Sequence, residues 1–138
     1  MKAVAVDLDG VLGDTAPLWR AWLEDAGRRF RIDVSELDAQ LPNWPQLLER
    51  FAEERAPLYL RPDAEASAAL RRLAADGMRI GVFTEAPEPL ARVAMAQLGA
   101  ARRVEALETG AGALERLLRR LGGDAVVVRT RDQLVNLR

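Results

Sequence analysis

The first apolar stretch of the chain is short and partly β-branched: Ala3-Val4-Ala5-Val6, broken at once by Asp7-Leu8-Asp9-Gly10. A run of this length without polar alternation predicts a strand buried on both faces, as in a parallel sheet. The spacing then becomes helical. Leu18, Trp19, Trp22, Leu23, Ala26 and Phe30 share one face, with Thr15 as N-cap and Pro17 in the first turn. A polar break covers residues 33–42. Asn43-Trp44-Pro45 opens a second helix carrying Leu47, Leu48 and Phe51, expected to stop before Pro57 because an interior proline removes an N–H and crowds the preceding turn. Arg61-Pro62-Asp63 leads into a third helix with Ala66, Ala69, Leu70 and Leu73 on one side and a terminating glycine at Gly77. Beyond it the pattern predicts a strand over 78–83 and a helix over 89–98. A short strand over 103–107, a helix over 111–121, a strand over 125–128 and one or two helical turns within 132–137 follow.

Strands alternating with helices of about ten residues argue for an α/β fold: a Rossmann-like parallel sheet flanked by helices, joined by right-handed crossovers. The alternation is interrupted once, over residues 15–60, where two helices stand between the first strand and the rest. The chain therefore reads as a single core domain, 1–138, with a small helical hairpin inserted after the first strand. Ligands of such sheets bind beyond the carboxyl ends of the strands. Here those ends are Asp7-Leu8-Asp9-Gly10, Thr84-Glu85, the turn after Leu107, and Arg129-Thr130-Arg131-Asp132.

Composition narrows the chemistry. With 49% hydrophobic and 30% charged residues the chain is that of a globular protein, and its net charge of −1 gives no basic field for nucleic acid or anionic lipid. Nothing approaches the ~20 apolar residues of a membrane span. The chain has no cysteine and no histidine, which removes thiolate nucleophiles, disulfides, Ser-His-Asp triads and imidazole-held metals. A reducing, cytoplasmic setting is compatible with that. Its two serines, Ser35 and Ser67, lie in polar helical stretches. Chemistry must come from carboxylates, hydroxyls, a hard metal ion, or the nineteen arginines that accompany the single lysine, Lys2. Most of those arginines alternate with acids in the manner of a solvated helix face.

Two carboxylates one residue apart at the end of a buried strand repel each other and lose solvation, a cost that a divalent cation preferring oxygen, such as Mg²⁺, would relieve. Gly10 lets the backbone turn sharply beside them. The run Asp7-Leu8-Asp9-Gly10-Val11-Leu12-Gly13-Asp14-Thr15 resembles the first motif of the haloacid dehalogenase-like (HAD) superfamily. The resemblance implies that Asp7 is a nucleophile forming an aspartyl-phosphate. It implies that Asp9 is the acid for the leaving group and then the base for water, with its backbone carbonyl on the metal. Ile80-Gly81-Val82-Phe83-Thr84 fits the second motif, so Thr84 would bond the phosphoryl oxygens, or else cap the helix that follows.

The third motif, a lysine, has no counterpart: Glu108-Thr109-Gly110 occupies its place, and a compensating cation would be Arg102, Arg103, Arg129 or Arg131. The fourth motif, an acid past the last strand, is displaced. Thr130 stands where the acid is expected, and Asp132 is either the metal ligand or the N-cap of the terminal helix.

The resemblance implies a Mg²⁺-dependent phosphatase acting on a small phosphorylated metabolite. Asp7, Asp9 and Thr84 would be catalytic, Gly10, Thr84, Glu85, Arg129 and Arg131 would bind substrate, and Asp7, Asp9 and Asp132 would hold the metal. Residues 15–60 would be a reduced helical cap, whose Trp19, Trp22 and Trp44 wall a pocket, make a subunit interface or pack the hairpin. The altered third and fourth motifs motivate an alternative, a non-catalytic relative that binds a phosphorylated ligand or a protein partner. A receiver-like domain is disfavoured, because its aspartate belongs on a later, central strand. Either a monomer or a homodimer is compatible with the sequence.

Overall fold

The computed structural model describes residues 2–138. Four parallel strands, β1 (Ala3–Asp7), β2 (Arg79–Thr84), β3 (Ala106–Thr109) and β4 (Val126–Val128), form one sheet in the order β3-β2-β1-β4. β1 pairs along its length with β2, Ala3 opposite Arg79 and Asp7 opposite Phe83, and on its other side Val6 lies opposite Val128. The acidic turn after β1 is therefore flanked by the ends of β2 and β4. The helices are α1 (Ala16–Phe30), the single turn α2 (Leu37–Gln40), α3 (Trp44–Tyr59), α4 (Ala64–Ala75), α5 (Glu88–Gln97), α6 (Ala113–Leu121) and the short α7 (Arg131–Val135). An α/β fold with a parallel, helix-flanked sheet is what the hydrophobic pattern predicts, and it is what forms.

The two faces of the sheet are unlike. Period-two geometry sends Val4 and Val6 to one face and Ala3 and Ala5 to the other. The valine face packs into the large core with Leu18, Trp22, Leu48, Leu70 and Leu90. The alanine face is covered by α6 through Ala113, Leu117 and Leu121. Only small side chains let α6 come so close. A β-carbon on Gly81 would stand 2.5 Å from Cδ1 of Leu117.

Three boundaries differ from expectation for identifiable reasons. α3 runs through Pro57 to Tyr59. Pro57 lies on the exposed side while Ala52 and Ala56 are buried, so packing holds the helix across the missing hydrogen bond. β3 begins at Ala106 because Ala101–Arg103 coil into a 3₁₀ turn. It runs on to Glu108 and Thr109, whose polarity conceals a strand. α6 starts two residues late, since Gly110 (φ 78°) and Gly112 (φ 76°) are left-handed and outside any helix.

α1 and α3 pack on each other, and α3 also packs along α5. The three tryptophans sit in this region with ring centroids 5.6–6.2 Å apart. Trp22 is buried in the core, and the Trp44 Nε1–H donates to Asp38 Oδ1 at 2.8 Å.

Candidate active site

β1 delivers Asp7 half-buried at the carboxyl edge of the sheet. The chain then makes one wide turn, Leu8–Leu12, closed by the Gly13 N–H donating to the Leu8 carbonyl at 3.1 Å. Such five-residue turns recur at functional sites because they re-aim side chains within a rigid frame. Leu8, Val11 and Leu12 anchor the turn in the core. Asp9 is left at the surface beside Asp7, and its N–H donates to Asp7 Oδ1 at 3.2 Å.

Asp9 is held from three sides. Its Oδ1 accepts from the Thr15 N–H at 2.9 Å and the Thr15 hydroxyl at 2.6 Å, and its Oδ2 accepts from the Thr84 hydroxyl at 2.6 Å. Both threonines are buried, at 3% and 1% exposure, so their hydroxyls have no competing bulk water. Thr84 in turn accepts from the Ala86 N–H at 3.1 Å, which fixes the rotamer at the β2 exit. Thr15 stands at the N-cap position of α1 as expected, but its side chain makes no capping bond there and serves Asp9 instead. No local signal distinguishes a capping threonine from one that reaches back six residues.

Burial pushes the Asp7 carboxyl above the usual carboxylate range, and the neighbouring Asp9 charge adds to this. The Asp9 and Gly10 N–H groups and the Arg129 guanidinium oppose the rise without cancelling it.

Arg129 is set by the frame around it. Its N–H donates to Gln133 Oε1 at 2.7 Å, and its guanidinium lies 5.5 Å from the centroid of the Phe83 ring. One guanidinium nitrogen is 3.8 Å from Asp7 Oδ2. Its carbonyl passes so close to Gly10 that a β-carbon there would stand 2.1 Å from the oxygen. Gly10 is thus needed for approach of the β4 exit to the acidic turn.

These groups border a cleft of about 410 Å³, shared by Asp7, Asp9, Thr84, Glu85, Glu115 and Arg129. The first residues of α6 line it as well. Sequence reasoning missed Glu115 and Gly112, which the close packing of α6 brings there. A second hollow of about 480 Å³ shares Asp9 and Glu85 with the cleft and continues along Asp14, Thr15 and Trp19.

Other expected residues lie elsewhere. Arg131 turns away, with Nε donating to the Val11 carbonyl at 3.1 Å and Nη1 3.4 Å from Asp63. Arg102 and Arg103 lie in the turn before β3, at the opposite end of the sheet from the cleft. Asp132 is exposed on α7 and does not line the cleft. The cap of that helix is Thr130, whose hydroxyl accepts from the Gln133 N–H in a reciprocal capping box. At the third-motif position, Glu108 binds Arg120 at 2.6 Å and Arg116 at 3.0 Å, and these bonds hold its carboxyl below the usual range. Arg116 also donates to the Thr109 and Ala111 carbonyls, so it is committed to closing its own turn.

Among the described residues no group of three or more acids is placed to hold a metal ion. With Asp9 engaged on both oxygens, Asp7 is the carboxylate left for a hard cation. That donor set fits Mg²⁺ in the way the ion commonly binds, through one or two carboxylates with water and a substrate phosphate completing the shell.

No protein-family model matches the chain, and no curated protein sequence matches it significantly. Solved structures do match. One is a protein assigned as a beta-phosphoglucomutase from Thermotoga maritima, with a TM-score of 0.62 and 20% identity over 92% of this chain and 75% of the other. A second is a HAD phosphatase from Thermococcus onnurineus, with a TM-score of 0.56 and 16% identity over 97% of this chain and 96% of the other. At these identities the likeness establishes the fold, and the chemistry has to be argued from the site.

Proposed function

We propose that this chain, whose fold is HAD-like, hydrolyses a small phosphate monoester through an Asp7 phosphoenzyme. The observation that carries the reading is the arrangement at the strand ends. A half-buried carboxylate opens onto a cleft, a second carboxylate beside it is held by two buried hydroxyls, and a guanidinium lies 3.8 Å from the first.

In this reading Asp7 attacks phosphorus as the bond to the leaving oxygen breaks, and protonated Asp9 gives its proton to that oxygen. Water then attacks phosphorus, its proton passing to Asp9, and phosphate departs with Asp7 restored. Asp9 reaches the leaving oxygen by exchanging its bond with Thr84 for one with substrate, while Thr15 keeps hold of its other oxygen. Arg129 balances charge on the transferring group. Mg²⁺, when bound, would sit on Asp7 and neutralise charge between it and the phosphate. The hairpin over residues 15–60 serves as a reduced cap, with Trp19 walling the hollow beside the cleft.

The test is phosphate release from a panel of phosphometabolites with MgCl₂, using Asp7→Asn as control. Turnover that persists unchanged in the variant removes Asp7 as nucleophile. A second reading, a phosphate-ester binder without turnover, is favoured by the placement of Asp132 outside the cleft. Ester binding by a wild type that releases no phosphate would select it.

A further inference from the structure

The cleft carries an imbalance of charge. Asp7, Asp9, Glu85 and Glu115 border it, and among the described residues Arg129 is the one basic side chain that does. Of the other arginines, Arg116 and Arg120 are bound to Glu108, Arg131 to Asp63 and the Val11 carbonyl, and Arg102 and Arg103 lie in the turn before β3, at the far end of the sheet. The hollow continuing from the cleft past Glu85 adds Asp14 and, among the described residues, again has no basic lining residue. Arg129 itself is positioned, its backbone fixed by Gln133 and the Gly10 approach and its guanidinium laid over Phe83.

We infer that Arg129 is the single side-chain anchor for the phosphate, and that the site accepts only monoesters whose alcohol part carries no negative charge. This rests on the phosphatase reading for its location but is a statement about binding. A phosphate directed to Arg129 leaves its alcohol part against Glu85 and the hollow beyond. A carboxylate or second phosphate there meets like charge with no cation to receive it. A neutral or ammonium-bearing alcohol does not.

The experiment is calorimetric titration of the Asp7→Asn protein, in which ester is not consumed, at fixed MgCl₂. The probes are glycerol phosphate, phosphoethanolamine and phosphoglycolate. The neutral and ammonium esters should bind at least about tenfold more tightly than the acid, the scale of one like-charge contact in a partly wet site. Adding Arg129→Gln should weaken every ester by about 10- to 100-fold, the value of a hydrogen bond to a charged group, and Arg129→Lys should recover part of it. Phosphoglycolate binding as tightly as glycerol phosphate overturns the charge rule. Unchanged affinity in Arg129→Gln, or no ester binding at all, overturns the anchor. Binding that follows the rule in a protein without wild-type turnover removes the phosphatase reading and leaves this inference standing. Arg129 is more than half exposed, so the variants should fold, and a matching thermal melt verifies it.

Discussion

Replacing Thr84 with valine keeps the side-chain shape and removes one hydroxyl. That hydroxyl donates to Asp9 Oδ2 at 2.6 Å and accepts from the Ala86 N–H at 3.1 Å, at a residue 1% exposed. A hydrogen bond to a carboxylate contributes roughly 1.5–3 kcal/mol. Water in the cleft can reach Asp9 and recover some of this, while the added methyl gains a little by burial. The net loss expected is about 2 kcal/mol. With a urea m-value of roughly 2 kcal/mol/M for a domain of this size, the unfolding midpoint should fall by about 1 M. Thr84→Ser keeps both bonds and loses a methyl, so it should cost about 1 kcal/mol. The decisive arm is a double-mutant cycle with Asp9→Asn. If Thr84 acts on the Asp9 carboxylate, Thr84→Val should cost at least about 1 kcal/mol less in that background. An equal loss with and without the carboxylate, or a valine variant as stable as wild type, refutes the coupling.

Asp7→Asn should abolish phosphate release, and without metal the Asp7 carboxyl of the wild type should titrate above the ordinary carboxylate range, because burial disfavours its anion. The linked stability effect has the opposite sense to a salt-bridged acid. A raised folded pKa means that charged Asp7 opposes folding, so its burial penalty is fully present above the folded value and vanishes below the unfolded one. Melting curves of wild type and Asp7→Asn across pH should therefore converge on acidification; divergence on the acid side would contradict the burial argument. Gly10→Ala places a methyl 2.1 Å from a main-chain oxygen that cannot rotate away, and should cost about 1–3 kcal/mol while weakening phosphate binding through Arg129. An alanine variant with intact binding would show that the β4 exit is not fixed by this contact. Gly81→Ala meets instead the flexible ends of Leu117 and Leu121, so denaturant titration should show a smaller loss, about 1 kcal/mol.

The strands and the acidic turn were legible because they depend on local pattern: apolar runs broken by Asp7 and Asp9, and by Thr84 at the end of β2. What was hidden depends on contacts distant in sequence. Nothing near Thr15 announces that its hydroxyl serves Asp9 rather than the helix. Arg129 and Arg131 are equivalent in sequence. The fold sends one to Asp7, beside Phe83, and the other to Asp63 and the Val11 carbonyl. α3 passes Pro57 because tertiary burial of Ala52 and Ala56 outweighs a local rule, and β3 runs later than expected because Glu108 is satisfied by arginines from α6.

The thin face of the sheet has a consequence for how this site can change. α6 rests on Ala3, Ala5 and Gly81, and its first residues form a wall of the cleft. The volume of three positions under α6, none of which lines the cleft, therefore bears on the distance between that wall and Asp7. Side chains beneath α6 larger than the ends of Leu117 and Leu121 can absorb would lift the wall; the carboxylates after β1 and the hydroxyl at the end of β2 would stay where they are. The width of the cleft and the placing of its carboxylates are thus controlled by separate parts of the chain, and under the proposed function the range of esters admitted can drift through core substitutions alone.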